Sequence, residues 1–113
     1  MRIPDIELLW WAGCPSTDKS LRELRAVLQD LGLGSAQIRT REIGSEEEAR
    51  SAGFGGSPTI LIDGVDAVPA TDEPVGLSCR VYRRRDGTIS PTPDPDDLRE
   101  ALRRAVAREE VKR

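Results

Sequence analysis

The 113-residue chain contains no histidine. Cys–His and Ser–His nucleophile pairs need an imidazole base, and most zinc sites need an imidazole ligand, so these chemistries are excluded. Aromatic residues are scarce, with two tryptophans, one tyrosine and one phenylalanine. Lysine is nearly absent, 2 against 15 arginines, which reads as a compositional habit of the lineage and not as a function. No apolar run approaches the roughly 18 residues of a membrane span. The net charge of −3 gives no electrostatic ground for a nucleic-acid partner. Only two cysteines are present, Cys14 and Cys79. Covalent chemistry therefore falls to cysteine, carboxylates, Tyr82, Arg or Lys, hydroxyls or the backbone.

What remains is an ordinary globular composition, 37% hydrophobic and 33% charged. The length suits one domain, 1–113, with a core over about residues 5–108. The segment from Met1 to Asp5 does not read as a signal peptide, because the apolar run after it is only a strand's length and contains Glu7. A cytoplasmic location is expected, and two cysteines there are expected to be thiols and not a permanent staple. No cofactor, metal or membrane partner is expected.

Hydrophobic periodicity sets the elements. Residues 5–11 read as a strand apolar on both faces apart from Glu7. A helix is predicted from near Pro15, with Leu21, Leu24, Val27, Leu28 and Leu31 on one face and Gly32 as its stop. A strand over 36–43 and a short helix over 46–52 follow; Ser45 and Glu48 form a capping box, and Ala49 and Ala52 turn to the core. The Gly-rich stretch 53–57 leads to Pro58 and a strand over 59–62, closed by an Asp63-Gly64 turn. Residues 65–78 read as irregular. A further strand is predicted over 79–83, then a hairpin turn at Asp86-Gly87, with Arg83, Arg84 and Arg85 at a solvated tip. Asp94 is a strong N-cap, with Pro95 at the first helical position, for a last helix carrying Leu98, Ala101, Leu102, Ala105 and Val106. The order β-α-β-α-β-β-α predicts an α/β fold: a parallel first βαβ unit, a later antiparallel hairpin, and a four-stranded mixed sheet flanked by helices.

Cys14 stands where the first strand meets the first helix, a position where backbone N–H groups favour a thiolate. The segments Trp11-Ala12-Gly13-Cys14-Pro15 and Gly56-Ser57-Pro58-Thr59, in this element order, resemble the thioredoxin-like superfamily over roughly residues 5 to 108. Residues 53–64 and 76–82 are similar to a small bacterial subgroup of short thioredoxin-like proteins, variously labelled thioredoxin family proteins or alkylmercury lyases. The resemblance implies that Cys14 is the nucleophile and that Thr17 occupies the place of a resolving cysteine, giving a CxxT motif. It further implies that Pro58 is a cis-proline facing Cys14 and that the Ser57 backbone is offered to a bound peptide or glutathione-like thiol. Trp11 and Pro15 flank that site. The partner is then a thiol or disulfide of a protein or of a low-molecular-weight thiol.

Several residues admit two readings. The Thr17 hydroxyl either donates to a Cys14 thiolate or is an ordinary first-turn group. One of Trp10 and Trp11 belongs to the core and the other shields the cysteine. Cys79 is either a half-buried strand residue or a substitute resolving thiol, the latter needing Cα atoms within about 7 Å of each other. Three functions follow: a thiol-disulfide oxidoreductase resolved by Cys79 or an external thiol; a binding module that uses the groove beside Pro58; and a mercury or organomercurial thiol site formed by Cys14 and Cys79 with Asp72 or Glu73 as acid.

Overall fold

The computed structural model describes residues 3–69 and 75–111. Side-chain alternation along the first strand, β1 (Ile6–Trp10), divides the interior in two. Ile6, Leu8 and Trp10 point to one face and join the larger cluster; Leu9 points to the other. On the first face lie helices α1 (Thr17–Asp30) and α3 (Pro95–Val111), which contribute Leu24, Val27, Leu28, Leu98, Leu102 and Ala105. On the second, helix α2 (Glu46–Ala52) brings Ala49 against Leu9, Ile43 and Phe54. Phe54 is fully buried there and anchors the smaller cluster, a burial that contributes about 2–3 kcal/mol.

The sheet has four strands in the order β2-β1-β3-β4. Strand β2 (Ile38–Glu42) runs parallel to β1, as a βαβ unit requires, while β3 (Thr59–Ile62) runs antiparallel on the other side. The fourth strand is not the predicted 79–83 segment. It is β4 (Val65–Asp66), paired antiparallel with β3 through Ile62 and Val65. The cause is local: Asp63 and Gly64 both take positive φ, +52° and +80°, as a two-residue type I′ hairpin demands. The 79–83 run is split instead. Cys79 makes an isolated parallel bridge to Ser57, Arg80 turns inward, and only β5 (Tyr82–Arg83) forms a ladder, with β6 (Ile89–Ser90), in a separate two-stranded hairpin. The α/β class and the four-stranded mixed sheet hold, with a different outer strand.

The end of α1 and the starts of α2 and α3 follow the sequence closely. Gly32, at φ +74°, closes α1 through Leu33 N–H to Leu28 O (2.8 Å) and Gly32 N–H to Gln29 O (3.1 Å). Ser45 Oγ accepts from Glu48 N–H at 3.1 Å, and Asp94 Oδ1 accepts from Asp96 N–H at 2.9 Å. The arginine run at the hairpin is solvent-facing at Arg83 and Arg85, as expected, but two of its members also form ion pairs. Arg84 reaches Glu23 on α1 and Thr92, while Arg85 grips Asp97 and Glu100 on α3, so the hairpin is tied across both helices. Both sheet edges are blunted: β4 is two residues long, and β2 is largely exposed and charged. Among the described residues no helix is long and apolar enough to cross a membrane.

Candidate functional site: a pair of facing thiols

The chain leaves β1 at Trp10 and turns tightly, with Cys14 N–H donating to Trp11 O at 3.0 Å. Gly13 is required by space: a Cβ there would lie 2.5 Å from the Trp11 indole. Trp11 thus covers the turn from the α2 side and packs with the smaller cluster. The indole that lines the cavity at Cys14 is Trp10. That cavity, about 350 Å³, is walled by Trp10, Cys14, Pro15, Thr17, Asp18, Leu21 and Thr40.

Helix α1 begins two residues later than predicted, with Ser16 as N-cap. Cys14 therefore sits just ahead of the helix. Its sulfur lies 3.4 Å from Ser57 O, to which the thiol donates, and the Ser57–Pro58 peptide is cis. Partial exposure of Cys14, expected from its place at the helix start, is not found: the residue is only 6% exposed, because the 56–58 loop lies over it.

Burial pushes the Cys14 thiol up and is the largest single influence, yet the net direction is down. Opposing it are the Ser16 N–H, then the Cys79 thiol and the hydroxyls of Ser57 and Ser16, all able to donate to the thiolate. The Ser57 hydroxyl is fully buried beside the sulfur and has no other hydrogen-bond partner. The Ser16 side chain makes no hydrogen bond that caps its own helix. Thr17 does not fill the role considered for it; its Oγ1 is buried at the cavity wall without a partner. Ser16, two positions after the cysteine and still outside the helix, is the residue placed to turn its N–H towards the sulfur and favour the thiolate.

Cys79 reaches this site through the backbone. Ser57 N–H donates to Ser78 O and Arg80 N–H to Ser57 O, both at 2.8 Å, which sets Cys79 directly beside Ser57. Cys79 is exposed, and both cysteines are free thiols. Its thiol is pushed up, chiefly because its proton is held in a hydrogen bond to Cys14, with burial and the Cys14 charge adding to this. Of the two thiols, Cys14 is therefore the one that ionises first.

Arg80 anchors this segment from behind. It is 2% exposed and is the largest fully buried side chain. Its guanidinium meets Asp66 Oδ2 (2.8 Å), Thr59 Oγ1 (3.2 Å) and Val68 O (2.6 Å), and lies 4.6 Å from the centre of the Tyr82 ring. Tyr82 in turn donates to Pro58 O at 2.5 Å. Gly56, at φ +117°, admits the close approach of Arg80; a Cβ there would lie 3.0 Å from Arg80 N and 3.1 Å from its Cα.

The structure thus brings Cys14, Pro15, Ser57, Pro58 and Cys79 together, sets Trp11 to one side, and adds Ser16, Trp10 and Arg80. The parity of Trp10 with Ile6 and Leu8 ties it to the α1 face, but sequence alone does not say which face the cysteine joins. Asp72 and Glu73 lie outside the described residues, and among those described no group of three or more His, Cys, Asp or Glu gathers as a metal site. No family model matches the chain, and neither does any curated protein or solved structure.

Proposed function

We propose that the protein is a thiol-disulfide oxidoreductase on a thioredoxin-like scaffold, in which Cys14 and Cys79 form the redox pair that a two-cysteine turn supplies elsewhere. The strand order, with β2 parallel and β3 antiparallel to a central β1, supports that scaffold, as does the cis-proline beside Cys14. One observation carries the redox reading: the Ser57 carbonyl that accepts the Cys14 thiol at 3.4 Å belongs to the residue bridged to Cys79, so both cysteines stand at the cis Ser57–Pro58 peptide, where hydrogen-bond donors favour the Cys14 thiolate. A thiolate so held is both a nucleophile and a good leaving group. Cys14 is the nucleophilic sulfur and Cys79 the partner that replaces the missing cysteine at position 17. The substrate class is a disulfide or thiol, of a protein or of a low-molecular-weight thiol, in a reducing compartment such as the cytoplasm.

The alternative of a peptide-binding module needs the Ser57 amide and carbonyl free for an incoming strand. Both are already engaged by residues 78–80, which argues against it.

The test is equilibration of the reduced protein with glutathione buffers of increasing oxidation, with an acid quench and mass spectrometry. The expected product loses two hydrogens and carries its single cross-link between the Cys14 and Cys79 peptides. A protein that keeps both thiols alkylatable through that range refutes the reading.

A further inference from the structure

Two sulfurs that form one redox pair are not equally open to a partner. Cys14 is 6% exposed and hemmed in by Ser57, Pro58 and the turn before α1, whereas Cys79 is on the surface. Disulfide exchange is a displacement in which the incoming thiolate attacks one sulfur from the side opposite the other. Attack on Cys14 would have to come through the protein wall or the cavity beside Trp10; attack on Cys79 comes from solvent and drives the departing sulfur inward. Residues 78–80 also fill the backbone positions of Ser57 that an external strand would use. The chain has laid its own cysteine-bearing segment where a partner's would dock.

We infer that Cys79, not Cys14, is the sulfur through which redox partners enter and leave, with Cys14 acting only on Cys79. The inference rests on the redox-pair reading above and assigns the order of its steps. In the reductive direction an external thiolate, RS⁻, attacks Cys79 Sγ of the cross-linked protein. The R–S–S–Cys79 bond forms, the Cys14–Cys79 bond breaks, and the electron pair leaves on Cys14, received by the Ser16 N–H and the Ser57 hydroxyl. A second thiolate then attacks the R sulfur of the mixed disulfide, forming RSSR, and Cys79 leaves and takes a proton from solvent. In the oxidative direction Cys79, after losing its proton to solvent, attacks RSSR and expels RS⁻. The Cys14 thiolate next attacks Cys79 Sγ and expels the second RS⁻. Each cycle moves two electrons between one disulfide and two thiols. The buried donors around Cys14 then serve its departure and return and not its meeting with a partner, which explains how a nucleophile can be so little exposed.

The test uses the intact chain. Cross-linked protein is mixed with reduced glutathione, quenched in acid at short times and digested with trypsin; cleavage at Arg and Lys separates the Cys14 and Cys79 peptides. The glutathione adduct is expected on Cys79 in roughly tenfold or greater excess over Cys14, with Cys14 recovered as a free thiol. Equal adducts, or an excess on Cys14, overturn the order of steps while leaving the redox pair standing. Failure to form the cross-link at all overturns both. As a check independent of the cross-link, bulky maleimide is expected to label Cys79 in folded Cys14→Ser at least about tenfold faster than Cys14 in folded Cys79→Ser. The reverse ratio counts against the assignment.

Discussion

Gly56 is where the backbone, the buried arginine and the thiol pair meet, so Gly56→Ala puts the description to a quantitative test. A non-glycine residue at φ +117° costs about 1–3 kcal/mol in backbone strain. The new Cβ would also stand 3.0 Å from Arg80 N and 3.1 Å from Arg80 Cα, backbone atoms that cannot rotate away. Relief requires residues 78–80 to withdraw, lengthening the two 2.8 Å hydrogen bonds to Ser57, worth about 1 kcal/mol each. The expected loss is about 4 kcal/mol. Gly32→Ala provides the control: its φ of +74° is also left-handed, but no atom lies within 4 Å, so only about 1–2 kcal/mol is expected. Urea unfolding of the reduced proteins separates the two values. A second readout is specific to the site: as Cys79 draws back, Cys14 loses a donor, and the midpoint of its iodoacetamide rate against pH moves up in Gly56→Ala but not in Gly32→Ala. Equal destabilisation by the two substitutions, or an unmoved Cys14 midpoint in Gly56→Ala, would refute the claim that Gly56 exists to seat the Cys79 segment.

Cys79→Ala is expected to raise the Cys14 midpoint and Cys79→Ser to raise it less, since a hydroxyl keeps a donor; identical profiles for wild type and Cys79→Ala would sink the role of Cys79 in favouring the Cys14 thiolate. Because the folded Cys14 pKa is depressed, its ionisation contributes stability that is full above the unfolded value of about 8.5 and is lost as pH falls through the folded value. Unfolding of reduced protein across that window is therefore expected to show a rise with pH that Cys14→Ser lacks. Arg80→Lys is expected to cost about 2–3 kcal/mol in urea unfolding, because an ammonium cannot span Asp66, Thr59 and Val68 O as the planar fork does; a loss under about 0.5 kcal/mol would contradict that role. Asp94→Ala should cost about 1 kcal/mol at neutral pH. Hydrogen bonds, led by that from Arg85 N–H, depress the Asp94 pKa, so the deficit should shrink as acid protonates the wild-type carboxylate below its folded value; a pH-independent deficit would contradict this.

The elements that sequence reveals best are those whose cause is local. Ser45 with Glu48, Gly32, Asp94 with Pro95, and the leucine stripe of α1 each act within a turn or two of themselves, and each appears where its spacing requires. The outer strand differs from expectation because the consequence of the Asp63-Gly64 turn, pairing of the next two residues, competes in the sequence with a stronger apolar run at 79–83. That run fails as a single strand because Arg80 has a deeper attraction: Asp66, Thr59 and the Tyr82 ring, none of them its neighbour in sequence but Tyr82. At the site, Cys14, Pro15, Ser57 and Pro58 were identifiable by type and place. Sequence does not separate Ser16 from Thr17, because choosing between them requires knowing on which residue the helix begins. The meeting of Cys79 with Cys14 depends on the bridge to Ser57, a long-range event no periodicity encodes.

The partners in this thiol pair stand about 65 residues apart along the chain, where a redox turn spans about four. Joining them would close most of the polypeptide into a ring, and a ring of that size withdraws about 4 kcal/mol of freedom from the unfolded chain, against about 2 kcal/mol for a four-residue loop. Accepting or releasing electrons would then tighten or slacken the whole molecule, from the end of β1 to the far side of the sheet. Such a carrier would lock when charged with a disulfide and relax once spent, its lifetime against proteases rising and falling with the poise of its surroundings.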